Sequence, residues 1–368
     1  MKNFLTIHLV YPHEPKARTP DSIGFNLAKE LRVHGYDVRT YSLYEASLAP
    51  FNPTRNDILI GHPRWENNNT FRQLLSMKGW GRIIVLHPFC PRDLWSYAHL
   101  YFYCIFADSF IAITGKYWKN EVINTHFSEW HTKLLQIDLA IDQKFFPKVK
   151  TTFNKRGERK FLFVGNHPHY KNVDFLDKLA GNLKQIEFHR IGPISRKYKN
   201  LIQHGKYELS SPEGKRIVKN MDFMITMSNR DANPTTIIEA SSMGLVAICP
   251  IGSGYFESDG VFNISGSNMK LAIEQINNFN CMEEAVLDEK RKQMDGLIKT
   301  RYCWPVFSMN VIKEIERKGS YNYQIKSFFD CSIIYIVFYF LARKSPWRVF
   351  VKKYLNKYKS YILDVFKR

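Results

Sequence analysis

The chain contains 368 residues, of which 45% are apolar and 24% are charged, and this composition is typical of globular proteins rather than disordered ones. A chain of this length can form two domains of ordinary size, each with its own core. The formal net charge of +19 predicts an acidic partner, either nucleic acid or an anionic membrane surface.

Six cysteines are scattered along the sequence without a C-x-x-C pair. This spacing argues against a disulfide framework and a structural zinc site, and it favours a reducing compartment. Residues 1–15 contain one early lysine and a short apolar run that ends in His and Pro, without the length or cleavage site of a signal peptide. We therefore expect a first strand at this position and a cytoplasmic protein.

Strand candidates alternate with helical patterns through the first 146 residues. Continuous apolar runs of this kind suit strands that are buried on both faces, as in a parallel sheet covered by helices. The first clear helical pattern covers residues 21–35. The strand candidates are residues 4–10, 37–43, 57–62, 82–87, 107–113 and 133–139. The alternation predicts an α/β, doubly wound domain.

A second α/β domain follows a charged segment without an apolar period, which we interpret as a linker. Helical patterns lie around residues 172–184 and 212–220. The strand candidates of this half are residues 160–166, 186–192, 222–228 and 245–250. The predicted organisation is domain 1–146, linker 147–159, domain 160–304, a helix at 305–320 returning toward the first domain, and a tail at 321–368. A cleft between the carboxyl ends of the two sets of strands would bind the ligand.

The tail combines an apolar run with a basic, aromatic segment. Residues 327–342 are intensely apolar, but this run is shorter than the roughly 20 residues that span a bilayer. Residues 343–368 contain nine Lys or Arg and one acid, with aromatic residues at helical spacing. We expect this tail to lie on the inner, anionic face of a membrane without crossing it. Nucleic acid is the alternative partner, but the sequence contains no nucleic-acid-binding motif.

The segment 231–246 predicts a helix whose start is suited to anions. Asn233 is a good N-cap, and the proline that follows it suits the first helical position. The free N–H groups of the first turn and the helix dipole attract negative charge, and Thr235 and Thr236 add hydroxyl donors. Gly244 ends the helical pattern. The alternative interpretation is a capped core helix flanked by two solvated acids, Asp231 and Glu239.

Other residues could complete such a site. Lys171 follows a strand and a glycine-containing turn, so it could neutralise a diphosphate, although it is one of 53 basic residues and could be solvated. Thr19, followed by a proline, predicts a second helix N-cap facing the cleft, and the neighbouring Arg18 could reach an anion. His87 ends a strand at the edge where ligands bind, but a lone histidine is as often structural.

Together these segments resemble one family. The sequence is similar to family 4 glycosyltransferases of the GT-B fold, in which two Rossmann-like domains face each other across a cleft. The resemblance covers residues 1 to about 320. Asp231-x7-Glu239 with the following Ala240 and Gly244 resembles the family's E-x7-E motif. The other matching segments are 164–172 (V-G-N…K-N), 107–114 (A-D-S-F-I-A-I-T), 139–147 (L-A-I-D-Q-K-F-F-P) and 27–38 (L-A-K-E-L-R-V-H-G-Y-D-V).

The resemblance implies roles for these residues. Glu239 would accept hydrogen bonds from the ribose hydroxyls of a UDP- or GDP-sugar, and Asp231 would lie near the donor sugar. Lys171 and the helix start between the two acids would hold the diphosphate, and His87 would contact the donor sugar. The family implies a retaining hexosyltransferase that needs no metal or other cofactor. The acceptor would be an envelope polysaccharide, lipopolysaccharide or lipid-linked glycan.

Three positions depart from the family pattern. Asn166 stands where the family has a phosphate-binding Arg, Asp231 is shorter than the usual Glu, and Arg18-Thr19 replaces a Gly-Gly pair. We assign Asn166, Arg18 and Asn233 to the donor site together with the residues above. The alternative is a catalytically weakened GT-B protein that binds or scaffolds at the membrane surface.

Overall fold

The structure is a computed structural model. It describes residues 5–320, apart from Arg18, Trp65, Asn67, residues 93–98, His126, His167 and Ser195, and apart from the side chains of residues 99, 101, 102 and 105. The proposed tail at 321–368 therefore lies outside the described residues. None of the helices in the described part of the chain is long and apolar enough to cross a membrane.

The first sheet is parallel throughout and consists of residues from the first 137 positions. Its strands are β1 Thr6–Val10, β2 Asp37–Tyr41, β3 Asp57–Gly61, β4 Arg82–Pro88, β5 Ser109–Ile113 and β6 Leu134–Ile137, in the order β2-β1-β3-β4-β5-β6. The helices beside it are α1 Thr19–Val33, α2 Thr70–Leu75, α3 His99–Phe106 and α4 Lys116–Glu121. Ile23, Leu27 and Leu31 recur every four residues on α1, so they form one buried face against this sheet.

The second sheet is also parallel. Its strands are β7 Phe161–Val164, β8 Phe188–Ile191, β9 Ile202–Gln203, β10 Phe223–Ile225, β11 Val246–Cys249 and β12 Val261–Asn263, in the order β12-β11-β10-β7-β8-β9. The helices beside it are α5 Val173–Asn182, α6 Pro212–Lys219, α7 Thr235–Ser242, α8 Met269–Asn280 and α9 Glu284–Thr300. Because β7 and β10 are neighbours from which the chain winds in opposite directions, they form a topological switch point.

The chain passes between the two sheets twice, and the two passages are held together. After β6, the backbone N–H of Ile141 donates to the carbonyl of Tyr302 at 3.1 Å. Arg301 donates two hydrogen bonds to Asp138, of 2.7 and 2.9 Å, and also pairs with Asp259. This network joins the first domain, the second domain and the returning chain.

The last described helix, α10 Trp304–Glu316, packs against the first domain. Its residues Phe307, Val311 and Ile315 share the buried cluster of α1 and the first sheet. The chain thus ends its second domain and returns to cover the first. The predicted α/β class with two doubly wound domains is confirmed.

Candidate active site

The site lies at the carboxyl ends of β7 and β10. One loop leaves β7 and carries Lys171, and the other leaves β10 and carries Asp231. The two loops are joined at the carbonyl of Tyr170, which accepts hydrogen bonds from the hydroxyl of Ser228 (3.0 Å) and the backbone N–H of Asn229 (3.3 Å). Neighbouring strands at the switch point therefore bring together residues that are 60 positions apart.

Lys171 and Asp231 form an ion pair at this junction. The side chains are 19% and 17% exposed, so both charges lie near the surface but are mostly covered. The ammonium of Lys171 also lies 5.6 Å from the ring centroid of Tyr170. Lys171 belongs to a single short turn, His169–Lys171, directly before α5. The sequence singled out both charged residues but did not predict that they pair.

A residue with a left-handed backbone conformation sets the direction of the loop after β7. Asn172 has φ 53°, a conformation that asparagine tolerates better than most residues, and its side-chain amide donates to the carbonyl of Gly266 at 3.0 Å. Asn172 occupies the position at which the resembled motif has glycine. The substitution therefore preserves the backbone turn that places Lys171.

The start of α7 differs from its predicted form. The helix begins at Thr235, with Pro234 at the N-cap position, so the predicted N-cap Asn233 is wrong by one residue. The side-chain oxygen of Asn233 instead accepts a hydrogen bond from the backbone N–H of Leu139, at 3.3 Å. Leu139 lies in the chain between the domains, so this oxygen is not available to cap the helix. The N-cap residue Pro234 makes no side-chain hydrogen bond to α7, and Thr235 and Thr236 are half-buried at the helix start. The backbone N–H of Ile237 donates to the carbonyl of Pro234 at 3.2 Å.

The last residue of α7 is Ser242, and Gly244 stops the helix as predicted. This glycine has φ 102°, and a Cβ atom added to it would lie 2.1 Å from the carbonyl oxygen of Lys150. Its backbone N–H donates to the carbonyl of Ser241 at 2.9 Å. Only glycine fits both the positive φ and this close approach, so α7 has a fixed end against the linker.

Glu239 lies one turn inside α7 and is 7% exposed. Its Oε1 accepts a hydrogen bond of 3.1 Å from the hydroxyl of Thr19, in the first domain. The predicted N-cap role of Thr19 is wrong, because α1 already begins at Thr19 and its hydroxyl is directed to the other domain. Arg18, which precedes it, lies outside the described residues. The starts of α1 and α7 therefore meet at Glu239.

The carboxyl ends of β1, β3 and β4 gather a second group of side chains. His87 lies at the end of β4, buried, with its ring perpendicular to that of His62 and their centroids 4.6 Å apart. The ring of Tyr11 also contacts His62, with 4.9 Å between the ring centroids. Sequence reasoning missed His62 and Tyr11, although each directly follows a strand as His87 ends one.

His62 is a neutral imidazole. Burial, reinforced by the nearby charge of Arg64, lowers the pKa of His62 to about 3. Its Nδ1 lies 3.0 Å from the carbonyl oxygen of Pro63, which can only accept, so Nδ1 carries the proton. The protein therefore places an uncharged ring beside His87.

Asn166 is exposed and follows Gly165 in the loop after β7. The fully buried Arg190 lies behind this loop and donates to the carbonyls of Gly165 (3.3 Å) and Pro193 (3.0 Å). Arg190 was also missed in the sequence, since an arginine in an apolar strand run gives no signal of its partners. His167, the next residue along the chain, lies outside the described residues.

The first domain also supports the loop that carries Asp231. The indole N–H of Trp118 donates to the carbonyl of Asp231 at 2.6 Å, and the backbone N–H of Gly115 donates to the carbonyl of Ala232 at 2.8 Å. A Cβ atom added to Gly115 would lie 1.8 Å from the carbonyl oxygen of Gly254, so the two domains touch backbone to backbone here. None of these contacts was predicted from the sequence.

The arrangement suits a ligand that is anionic at one end and rich in hydroxyl groups. An uncapped helix start and a lysine can bind phosphate oxygens, while two carboxylates can accept hydrogen bonds from hydroxyls. Among the described residues, no three His, Cys, Asp or Glu side chains are placed to hold a metal ion together.

The comparisons with known proteins identify the architecture. The sequence matches no protein-family model and no curated protein at a significant level. A solved structure of a glycosyltransferase from Rickettsia africae ESF-5 superposes with a TM-score of 0.61 at 13% identity, covering 86% of this chain and 100% of that chain. The E. coli trehalose-6-phosphate structure bound with UDP-2-fluoro glucose gives 0.61 at 11% identity, with 86% and 100% covered. The chain has the GT-B fold.

A further GT-B structure, the catalytic domain of starch synthase IV from Arabidopsis thaliana bound to ADP and acarbose, gives a TM-score of 0.60 at 12% identity. It covers 84% of this chain and 98% of that chain. At these identities the likeness shows the fold.

Proposed function

We propose that the protein is a family 4 type glycosyltransferase that moves a sugar from a UDP- or GDP-linked donor to a glycan. One observation carries this proposal: the uncapped start of α7 lies between Asp231, paired with Lys171, and the buried Glu239. The GT-B fold supports it, and two of the similar structures are named with a bound nucleotide or nucleotide sugar. The acceptor in this proposal is an envelope polysaccharide, lipopolysaccharide or lipid-linked glycan.

The diphosphate of the donor replaces Asp231 as the partner of Lys171. Phosphate carries more negative charge than one carboxylate, and the first N–H groups of α7 add donors and a positive dipole end. The released carboxylate of Asp231 then accepts from hydroxyls of the sugar. Negative charge grows on the leaving phosphate as the sugar–phosphate bond breaks, so these groups stabilise the transition state more than the ground state.

The remaining residues hold the two ends of the donor. Glu239 accepts from the ribose hydroxyls, and Thr235, Thr236, Asn166 and Arg18 contribute donors to the phosphates. The Nδ2 group of Asn233 is buried without a hydrogen-bond partner among the described residues, so it has a free donor for the ligand.

His87 contacts the donor sugar from the first domain in this proposal. Following the family resemblance, the reaction retains configuration and needs no metal, and a donor phosphate oxygen takes the proton of the acceptor hydroxyl.

A donor panel tests the proposed function. Purified full-length protein is incubated with UDP- and GDP-sugars, with and without EDTA, and released UDP or GDP is measured. We expect one donor to be hydrolysed slowly without acceptor, equally well in EDTA. Activity that is lost in EDTA and restored by Mg²⁺ or Mn²⁺ would contradict metal independence, and no release from any donor would contradict the enzyme.

A binding protein without turnover is the second candidate. Its support is Asn166, an exposed amide where the resembled motif has a phosphate-binding arginine. Loss of one charged contact weakens transition-state stabilisation more than binding when that contact strengthens during bond breaking. Calorimetric binding of UDP or GDP by a protein that releases neither from any donor would select this candidate.

A further inference from the structure

One hydrogen bond joins the two domains at the candidate nucleotide site. The hydroxyl of Thr19 donates to Oε1 of Glu239 at 3.1 Å, across 220 positions of sequence. Thr19 is 1% exposed and Glu239 7% exposed, so the bond is shielded from water. Two residues earlier, Ala17 packs against the buried cluster of the second domain. Ala17 and Thr19 therefore both contact the second domain.

This contact depends on the side chain of Thr19. The resembled family has Gly-Gly where this sequence has Arg18-Thr19, and glycine has no side chain to donate a hydrogen bond. A hydroxyl that donates to a carboxylate forms a charge-assisted bond, which is stronger than one between neutral groups. Thr19 therefore adds a side-chain hydrogen bond at a position where the glycine of the family pattern offers only backbone groups.

We propose that Thr19 is a positioning residue, which orients the carboxylate of Glu239 toward the ribose of the nucleotide. An ionised carboxylate has about four lone-pair sites, so Glu239 can accept from Thr19 and from ribose hydroxyls together. The nucleotide site is then complete only when the start of α1 rests on α7. This inference depends on the proposed function, because it takes Glu239 as the ribose ligand.

Isothermal titration calorimetry with UDP and GDP tests the inference on full-length wild-type, Thr19→Val and Thr19→Ser proteins. Valine keeps the branched shape of threonine without the hydroxyl, whereas serine keeps the hydroxyl. Loss of a hydrogen bond to a charged group predicts a dissociation constant about tenfold higher for Thr19→Val. The Thr19→Ser protein should bind close to wild type.

The 2′-deoxy forms of the same nucleotides separate positioning from general damage. If Thr19 acts through Glu239 on the ribose, the Thr19→Val effect should be much smaller for 2′-deoxy-UDP and 2′-deoxy-GDP, because one of the affected hydroxyls is missing. Equal weakening for ribose and deoxyribose forms would overturn the inference, as would unchanged binding by Thr19→Val. A wild-type protein that binds neither UDP nor GDP would overturn the proposed function, and this inference with it.

Discussion

The charges of Lys171 and Asp231 define the candidate site at the scale of single residues. Both were predicted from sequence, one from a strand–turn–helix pattern and the other from its spacing to Glu239. Their ion pair was not predicted, because it depends on β7 and β10 being neighbours. Candidate site residues can therefore be identified from the sequence, but the order of the strands determines which of them are in contact.

Removing the charge of Lys171 or of Glu239 should abolish most of the sugar transfer. For Lys171→Ala and Glu239→Gln we expect the rate to fall by about 10²–10³, because each variant loses a preorganised group beside the nucleotide. The measurement is steady-state transfer with the preferred donor. Lys178→Ala, an exposed lysine on α5, is the matched control and should behave as wild type. Wild-type turnover in both site variants would contradict the assignment.

Asn166 offers a change in the opposite direction. Because the residue is exposed, Asn166→Arg should fit without steric cost and supply the missing phosphate contact. We expect a lower donor KM or a higher rate in the same assay. A harmful effect would mean that the loop has been rebuilt around other groups, and no effect would place the loop away from the donor.

At the level of helices and strands, apolar runs predicted most strands. The starts of α1 and α7 differ from their predicted positions because of tertiary contacts. The edge strands β9 and β12 have two and three residues, and they were missed because neither lies in a longer apolar run like the one around β10. Asn233 and Thr19 have strong capping propensities, but the side chain of Asn233 bonds to the chain that follows β6 and that of Thr19 to the other domain. Local propensity could not foresee partners that are 94 and 220 positions away.

The histidines at the strand ends should make stability depend on pH. The unfolded chain binds a proton on His62 near pH 6.5, whereas the folded protein holds the pKa of His62 at about 3. The unfolded state therefore binds more protons between these values, and stability is lost as pH falls through this window. His62 alone should lower the free energy of unfolding by about 2 kcal/mol from about pH 7 to about pH 5.

Denaturant unfolding at these two pH values measures the effect in wild type and in His62→Asn. Between the two pH values, the free energy of unfolding of the variant should fall by about 2 kcal/mol less than that of wild type. The exposed His169→Asn serves as the control and should follow the wild-type change. An equal loss in wild type and His62→Asn would show that His62 is not held neutral by the fold.

At the scale of the whole molecule, the first domain reaches both acids of the motif. Thr19 bonds to Glu239, while Trp118 and Gly115 hold the carbonyls of Asp231 and its neighbour. The sequence predicted two domains and a cleft, since both follow from alternating patterns. These interdomain contacts could not be predicted, because they depend on the relative orientation of the two domains.

The tail at 321–368 carries a separate prediction. Each Lys or Arg near an anionic surface contributes about 1 kcal/mol, so its basic residues should bind full-length protein to anionic vesicles. The measurement is flotation with and without high salt. A variant ending at residue 320 is the comparison, since it keeps the contacts of Arg82 with the carbonyls of Glu314 and Gly319. Equal flotation of both proteins, or resistance of the tail to carbonate extraction, would contradict a peripheral tail.

A crystal structure with UDP or GDP tests the donor site most directly. We expect phosphate oxygens to lie within hydrogen-bond distance of the first N–H groups of α7 and of Lys171, whose ion pair with Asp231 is broken. We also expect the ribose hydroxyls to donate to Glu239, with Thr19 still bonded to its carboxylate. A nucleotide bound away from α7, or one beside which Lys171 stays paired with Asp231, would show that these residues do not form the donor site.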